Sequence, residues 1–140
     1  MSKVAVVFWS GTGNTQAMAE AVAEGAKDGG AEVTVYGPSE FSADLASGFD
    51  GIAFGCPAMG AENLEEDEFE PMFQAVEDSL GGKKVALFGS YGWGDGTWMR
   101  EWEERCGSKG ITLATESVMA NETPGAAEID ACKALGAALA

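Results

Sequence analysis

The chain contains no histidine. Ser-His-Asp and Cys-His catalysis are therefore excluded, as is any histidine-ligated metal, and the commonest proton shuttle near neutral pH is missing. Chemistry at pH 7 would fall to a cofactor. Bases are also scarce: 8 Lys and Arg stand against 23 Asp and Glu, a formal net charge of −15. Such a chain repels nucleic acid and anionic lipid and is drawn to basic protein surfaces. Cysteine is limited to Cys56, Cys106 and Cys132, without CxxC or zinc spacing. That pattern reads as reduced, small, buried thiols in a cytoplasmic protein. Long apolar runs are absent too. Val4 to Trp9 spans six residues and leads into glycines, too short for a signal-peptide core or a membrane span. The 140 residues suit one domain, 1–140, large enough to fold without disulfides or a structural metal.

What is present is an alternation of strands and helices. Val4–Trp9 is short, rich in valine and aromatics, and uninterrupted by polar residues, as a strand buried on both faces would be. Asn14–Asp28 places Met18, Ala21, Val22, Gly25 and Ala26 on one helical face, and Gly29-Gly30 ends it. Strands are expected at Glu32–Tyr36, Gly51–Gly55, Lys83–Gly89 and Ile111–Met119. Ala43–Gly48 has room for a short helix at most. Phe69, Met72, Phe73, Val76 and Leu80 mark another helix, with Pro71 near its start, where proline is tolerated. Thr97–Cys106 is a further helix, with Glu101 and Arg105 spaced for an i,i+4 pair, and Ala126–Ala140 is the last. Five strands alternating with helices imply a parallel sheet covered on both faces, with right-handed crossovers. Ligands of such sheets bind beyond the C-terminal strand ends, at the switch in strand order.

Three loops at that end carry chemistry. Ser10-Gly11-Thr12-Gly13-Asn14-Thr15 joins a buried strand to a helix, whose N-terminal amides and dipole favour a phosphate. No lysine follows Gly13, which argues against a nucleoside-triphosphate P-loop. Gln16 stands where the third glycine of a dinucleotide fingerprint belongs, and Tyr36-Gly37 lacks the acid expected after the second strand. An uncharged, hydroxyl-rich cradle for one terminal phosphate remains. Gly55-Cys56-Pro57-Ala58-Met59-Gly60-Ala61-Glu62 and Gly89-Ser90-Tyr91-Gly92-Trp93-Gly94-Asp95-Gly96 follow strands that should be neighbours. Met59 and Trp93, near the two tips, could clamp a flat ring. Together the loops describe a site for a mononucleotide with a planar heterocycle.

At SGTGNT, GCPAMG, the acidic run to EFEP, and KKVALFGSYGWGDG, the sequence resembles the flavodoxins, in particular the short-chain flavodoxins of anaerobic bacteria. The resemblance spans essentially the whole chain. It implies an α/β, flavodoxin-like, doubly wound three-layer sandwich with a five-stranded parallel sheet in order 2-1-3-4-5, and FMN at the switch point. By position it implies that Ser10 to Thr15 bind the phosphate. Met59 would cover the inner face of the isoalloxazine and Trp93 the outer. Gly60 would carry the peptide that turns toward N5 in the semiquinone, and Glu62 would accept from N3–H. Pro57 and Ala58 belong to the same loop. Gly89, Ser90, Tyr91 and Gly92 would contact the pyrimidine side and ribityl chain, with Asn121 a further ribityl candidate. Pro57 and Ala61 stand where some members carry polar residues. Because Ile111–Met119 is uninterrupted, the long insertion of long-chain members is expected to be absent.

The expected function is that of a low-potential one-electron carrier with non-covalently bound FMN, cycling mainly between neutral semiquinone and hydroquinone, without substrate turnover of its own. Residues 1–70 carry 2 bases and 13 acids, and six of those acids fall between Glu62 and Glu70. Beside the presumed flavin edge, that run reads as a steering patch for basic-surfaced redox enzymes. The protein is expected to be a cytoplasmic monomer. The alternatives are an FMN-dependent quinone or NAD(P)H reductase, a flavodoxin-like activator of a metalloenzyme, and a flavin-free phosphate-binding module.

Overall fold

A computed structural model describes residues 2–11, 13–59, 63–92 and 96–140. Its elements run β1 (Lys3–Phe8), α1 (Asn14–Asp28), β2 (Glu32–Tyr36), α2 (Ala43–Ala46), β3 (Gly51–Gly55), α3 (Phe69–Val76), β4 (Lys84–Tyr91), α4 (Thr97–Ser108), β5 (Val118–Asn121) and α5 (Ala126–Leu139). The strands form one sheet in the order β2-β1-β3-β4-β5, and every pairing is parallel. The expected strand order and layering are therefore observed. Among the described residues, no helix is long and apolar enough to cross a membrane.

The pleat sorts the strand residues onto two faces. Val4 and Val6 of β1, Ala53 of β3, and Ala86 and Phe88 of β4 face α1 and α5. Ala5 and Val7, Ile52 and Phe54, Val85 and Leu87 face α3 and α4. Both faces are covered, so the central strands contain no polar alternation, and Val4 to Val7 are wholly buried.

On the first face the helices are built from small residues. Met18, Ala19, Val22 and Ala26 of α1 pack with Cys132, Leu135 and Leu139 of α5. The backbones approach so closely that a Cβ on Gly25 would strike the Lys133 carbonyl, and one on Gly136 would strike that of Val22. On the second face the filling is aromatic. Phe54 meets Phe73 edge-on at 5.1 Å, and Trp102 stands edge-on to Phe69 at 5.5 Å and to Phe73 at 5.7 Å. The Trp102 indole N–H is buried without a hydrogen-bond partner.

Two expectations are corrected. Arg105 is not explained by pairing along its own helix with Glu101. It reaches across to α3 and the turn after it, binding Glu70 and Glu77 at 2.7 Å each, with its guanidinium 4.9 Å from the centre of the Phe73 ring. The last strand is not one run from Ile111 to Met119. Leu113 bridges Val85, and regular pairing resumes only at Val118 opposite Phe88. Five steps of chain thus oppose three on β4, so the segment bulges. Within it, the Ser117 hydroxyl donates to Glu103 at 2.7 Å. The structured strand then continues two residues beyond the expected end, to Asn121.

Candidate functional site

Parallel pairing brings the C-terminal ends of β1, β3, β4 and β5 to one edge. Phe8 lies beside Gly55, Gly55 beside Phe88, and Tyr91 beside Asn121. The loops that follow surround a cleft of about 500 Å³, lined by Trp9, Gly11, Asn14, Pro57, Ala58, Met59, Ser90, Tyr91, Gly92, Glu122 and Thr123. Eight of these were expected site residues. Thr12, Gly60, Glu62 and Trp93 lie outside the described residues.

The floor is the start of α1. Gly13 is the N-cap, with φ 93°, no side-chain cap and no acid in the first helical turn. The Ser10 hydroxyl accepts from the N–H groups of Gly13 at 3.1 Å and Gln16 at 3.3 Å, folding the loop back on itself. Thr15 is buried and its hydroxyl shares a 2.8 Å hydrogen bond with that of Ser90. The two expected loops are therefore joined, and the Thr15 and Ser90 hydroxyls serve each other. A Cβ at Gly11 would approach the Trp9 ring to 3.0 Å, so glycine lets the turn lie flat against the indole.

Two short segments form the walls. Pro57, Ala58 and Met59 are half-buried. Ala58 N–H donates to the Ser90 carbonyl at 3.0 Å, fastening one wall to the other. Met59 and Asn63 exchange backbone bonds of 2.9 and 3.1 Å. Gly89 lies beneath, where a Cβ would collide with the Cys56 carbonyl. That same carbonyl accepts from the Trp98 indole N–H at 3.2 Å. Gly92 is exposed, with open space where a Cβ would stand. Asn121 ends β5 opposite Tyr91, and it is the following Glu122 and Thr123 that line the cleft.

Three lining residues escaped the sequence reading. Trp9 had a signal: it ends the apolar run at the switch point, next to Gly11. Thr123 had none beyond its loop. Glu122 adopts φ 58°, the left-handed region that non-glycine residues seldom occupy, while its N–H donates to the Tyr91 carbonyl at 2.7 Å. The acid run also differs from a uniformly solvated patch. Glu65 is buried, and Glu70 is bound to Arg105. Glu66, Asp67 and Glu68 are exposed. The three thiols are buried and free, and burial pushes that of Cys56 up to about 12.

The geometry thus offers an anion seat at a helix N-terminus, continuous with a walled slot of mixed apolar and backbone-polar character. Its lining contains one carboxylate, Glu122, and no Lys or Arg among the described residues.

Comparison with known proteins agrees with this architecture. A family model described as Flavodoxin matches residues 6–136. The flavodoxin of Clostridium beijerinckii is 46% identical over 125 residues, 89% of this chain and 91% of that one. The flavodoxin of Megasphaera elsdenii is 44% identical over 137 residues, 98% of each. The solution structure of two-electron reduced Megasphaera elsdenii flavodoxin matches with a TM-score of 0.88 at 44% identity, over 97% of both chains.

Proposed function

The chain belongs to the flavodoxin family, FMN-binding electron carriers, and from that premise we propose how its own residues serve the cofactor. The residues present fit FMN. A helix N-terminus whose N-cap is glycine and whose first turn holds no acid suits a phosphate. Gly92 leaves open space where a ring edge would approach backbone groups, and Gly89 lets its wall lie against the Cys56 backbone.

When bound, FMN supplies one-electron chemistry. Ser10 to Thr15 seat the phosphate, with Thr15 and Ser90 holding the α1 start against the β4 end. Pro57, Ala58 and Met59 form one wall, and Gly89, Ser90, Tyr91 and Gly92 the other. Gly60, Glu62, Trp93 and Asn121 complete the set by position in the family motif. The walls exclude water from the ring, while Glu122 and the net charge of −15 oppose the addition of negative charge. The carrier therefore works on the lower-potential of its two one-electron couples. It acts as one FMN-binding domain over residues 1–140, monomeric and cytoplasmic, without substrate turnover of its own. Exposed Glu66, Asp67 and Glu68, beside the Met59 wall, steer basic-surfaced redox enzymes toward it.

The observation that carries this reading is the convergence, on one cleft, of the glycine-capped α1 start and the two walls formed by residues 57–59 and 90–92. Titration of the apoprotein with FMN, followed by flavin fluorescence and then by spectroelectrochemistry, tests it. Saturable 1:1 quenching and two well-separated one-electron steps are expected. Failure to bind FMN, or rapid NAD(P)H–quinone turnover by the protein alone, would overturn it.

A further inference from the structure

We propose that Glu65 is a positioning residue of the cofactor site, a tie that holds the Met59 wall in place from behind. The proposal rests on the FMN reading above. Glu65 stands in the middle of the acid run, yet is 6% exposed. Its carboxylate accepts from three consecutive backbone N–H groups: Asp67 at 2.9 Å, Glu68 at 2.7 Å and Phe69 at 2.8 Å. Burial alone would raise its pKa. The three amide donors outweigh that and hold the carboxyl below its ordinary value. The charge is thus fixed where α3 begins.

A plain helix cap would end there. Here the Glu65 N–H also donates to the Cys56 sulfur at 3.3 Å, and Cys56 immediately precedes the Pro57–Met59 wall. The Met59–Asn63 pair makes a second crossing. The wall is therefore pinned twice, with Glu65 coupling the inner pin to the α3 start. Cys56 is held from the other side by Trp98 on α4. Of the neighbouring ionisable groups, Cys56, just after β3, is in contact with Glu65, Glu70 of α3 turns to Arg105 of α4, and Glu66, Asp67 and Glu68 are exposed. Loss of the Glu65 carboxylate leaves the inner pin without a fixed support, so the wall shifts and the ring loses complementarity.

The test compares the full-length wild type with Glu65→Ala, Glu65→Gln, Cys56→Ala and Ser42→Ala. The last removes the hydroxyl that accepts from Leu45 N–H at the start of α2 and controls for loss of a helix cap elsewhere. FMN dissociation constants, both midpoint potentials and apoprotein melting curves are measured. Glu65→Ala should weaken FMN about tenfold and move at least one potential, as loss of a charged hydrogen-bond acceptor would. Glu65→Gln should restore part of the affinity. Cys56→Ala, which leaves the α3 cap intact, should weaken FMN about threefold. Ser42→Ala should lower the melting temperature only. If Glu65→Ala and Cys56→Ala alter melting but leave affinity and potentials at wild-type values, Glu65 is a helix cap and the inference falls. Should Glu65→Ala fail to fold, Glu65→Gln and Cys56→Ala decide by the same criterion. A wild type that bound no FMN would overturn the functional reading along with this one.

Discussion

On one face of the sheet, α1 and α5 meet backbone to backbone; on the other, α3 and α4 meet through rings and charges. The first face is filled by alanine, valine and leucine, with glycines at the points of contact. The second uses Phe54, Phe69, Phe73 and Trp102, with Arg105 bridging the helices from the rim. Backbone contact permits little adjustment, because peptide groups cannot change rotamer. Side-chain contact permits more, but leaves polar atoms to be satisfied, and the buried Trp102 N–H is not. The division matches the site. The proposed anion seat begins a helix of the rigid face, while the proposed ring wall is tied to elements of the adjustable one.

The sharpest way to break this contrast is a side chain at the α1–α5 contact. Gly136→Val should cost about 3 kcal/mol or prevent folding, because its Cβ meets the Val22 backbone rather than a movable side chain. Chemical denaturation would read it. Gly25→Ala combined with Gly136→Ala should cost less than the sum of the two, since either alone forces the helices apart. Full additivity would show that the two contacts yield separately. On the other face, Arg105→Met should cost about 2 kcal/mol by strict comparison of denaturation midpoints. It leaves Glu77, whose side chain is 7% exposed, without that partner. A restoring Glu77→Gln change in the same background would recover part of the loss.

Glu65→Gln should have a smaller effect at pH 7, about 1 kcal/mol, and a diagnostic pH profile. The Glu65 carboxyl titrates below its unfolded value of 4.5 in the folded protein. Its contribution is therefore full above 4.5 and fades as pH falls through the lower folded value. The wild-type advantage over Glu65→Gln should shrink in that acid range, and stability curves that stayed parallel would contradict the assignment. The smallest stability effect, close to zero, belongs to Gln at all three of Glu66, Asp67 and Glu68. Its signature is kinetic: electron exchange with a basic partner should slow less steeply with salt than in the wild type.

Much of the fold is legible in local pattern. The buried runs at Val4 and Gly51, the helical spacing from Asn14 and the glycines after it report residues whose neighbours in sequence determine their state. The bounds of α1, β2 and β3 follow accordingly. β5 is different. Its register is set by β4 and by the bulge between Leu113 and Val118, so its apolar run indicates a strand but not its limits. In the site, the loop glycines and hydroxyls are readable, whereas the Thr15–Ser90 bond spans 75 positions and no short motif encodes it. Arg105 shows the same limit: helical spacing offered Glu101, and tertiary packing supplied Glu70 and Glu77. Glu65 is the clearest case. Six acids in nine residues look alike in composition, and among the described ones only the fold distinguishes Glu65, which is buried.

The α1–α5 contact also has a consequence in time. During synthesis, α1 leaves the ribosome well before α5. Gly25 and Val22 of α1 find their partners, Lys133 and Gly136, only after more than 100 further residues have emerged. Until then the side of the first helix that meets α5 stays open. The helix proposed to seat the phosphate is thus made before the partner that locks it.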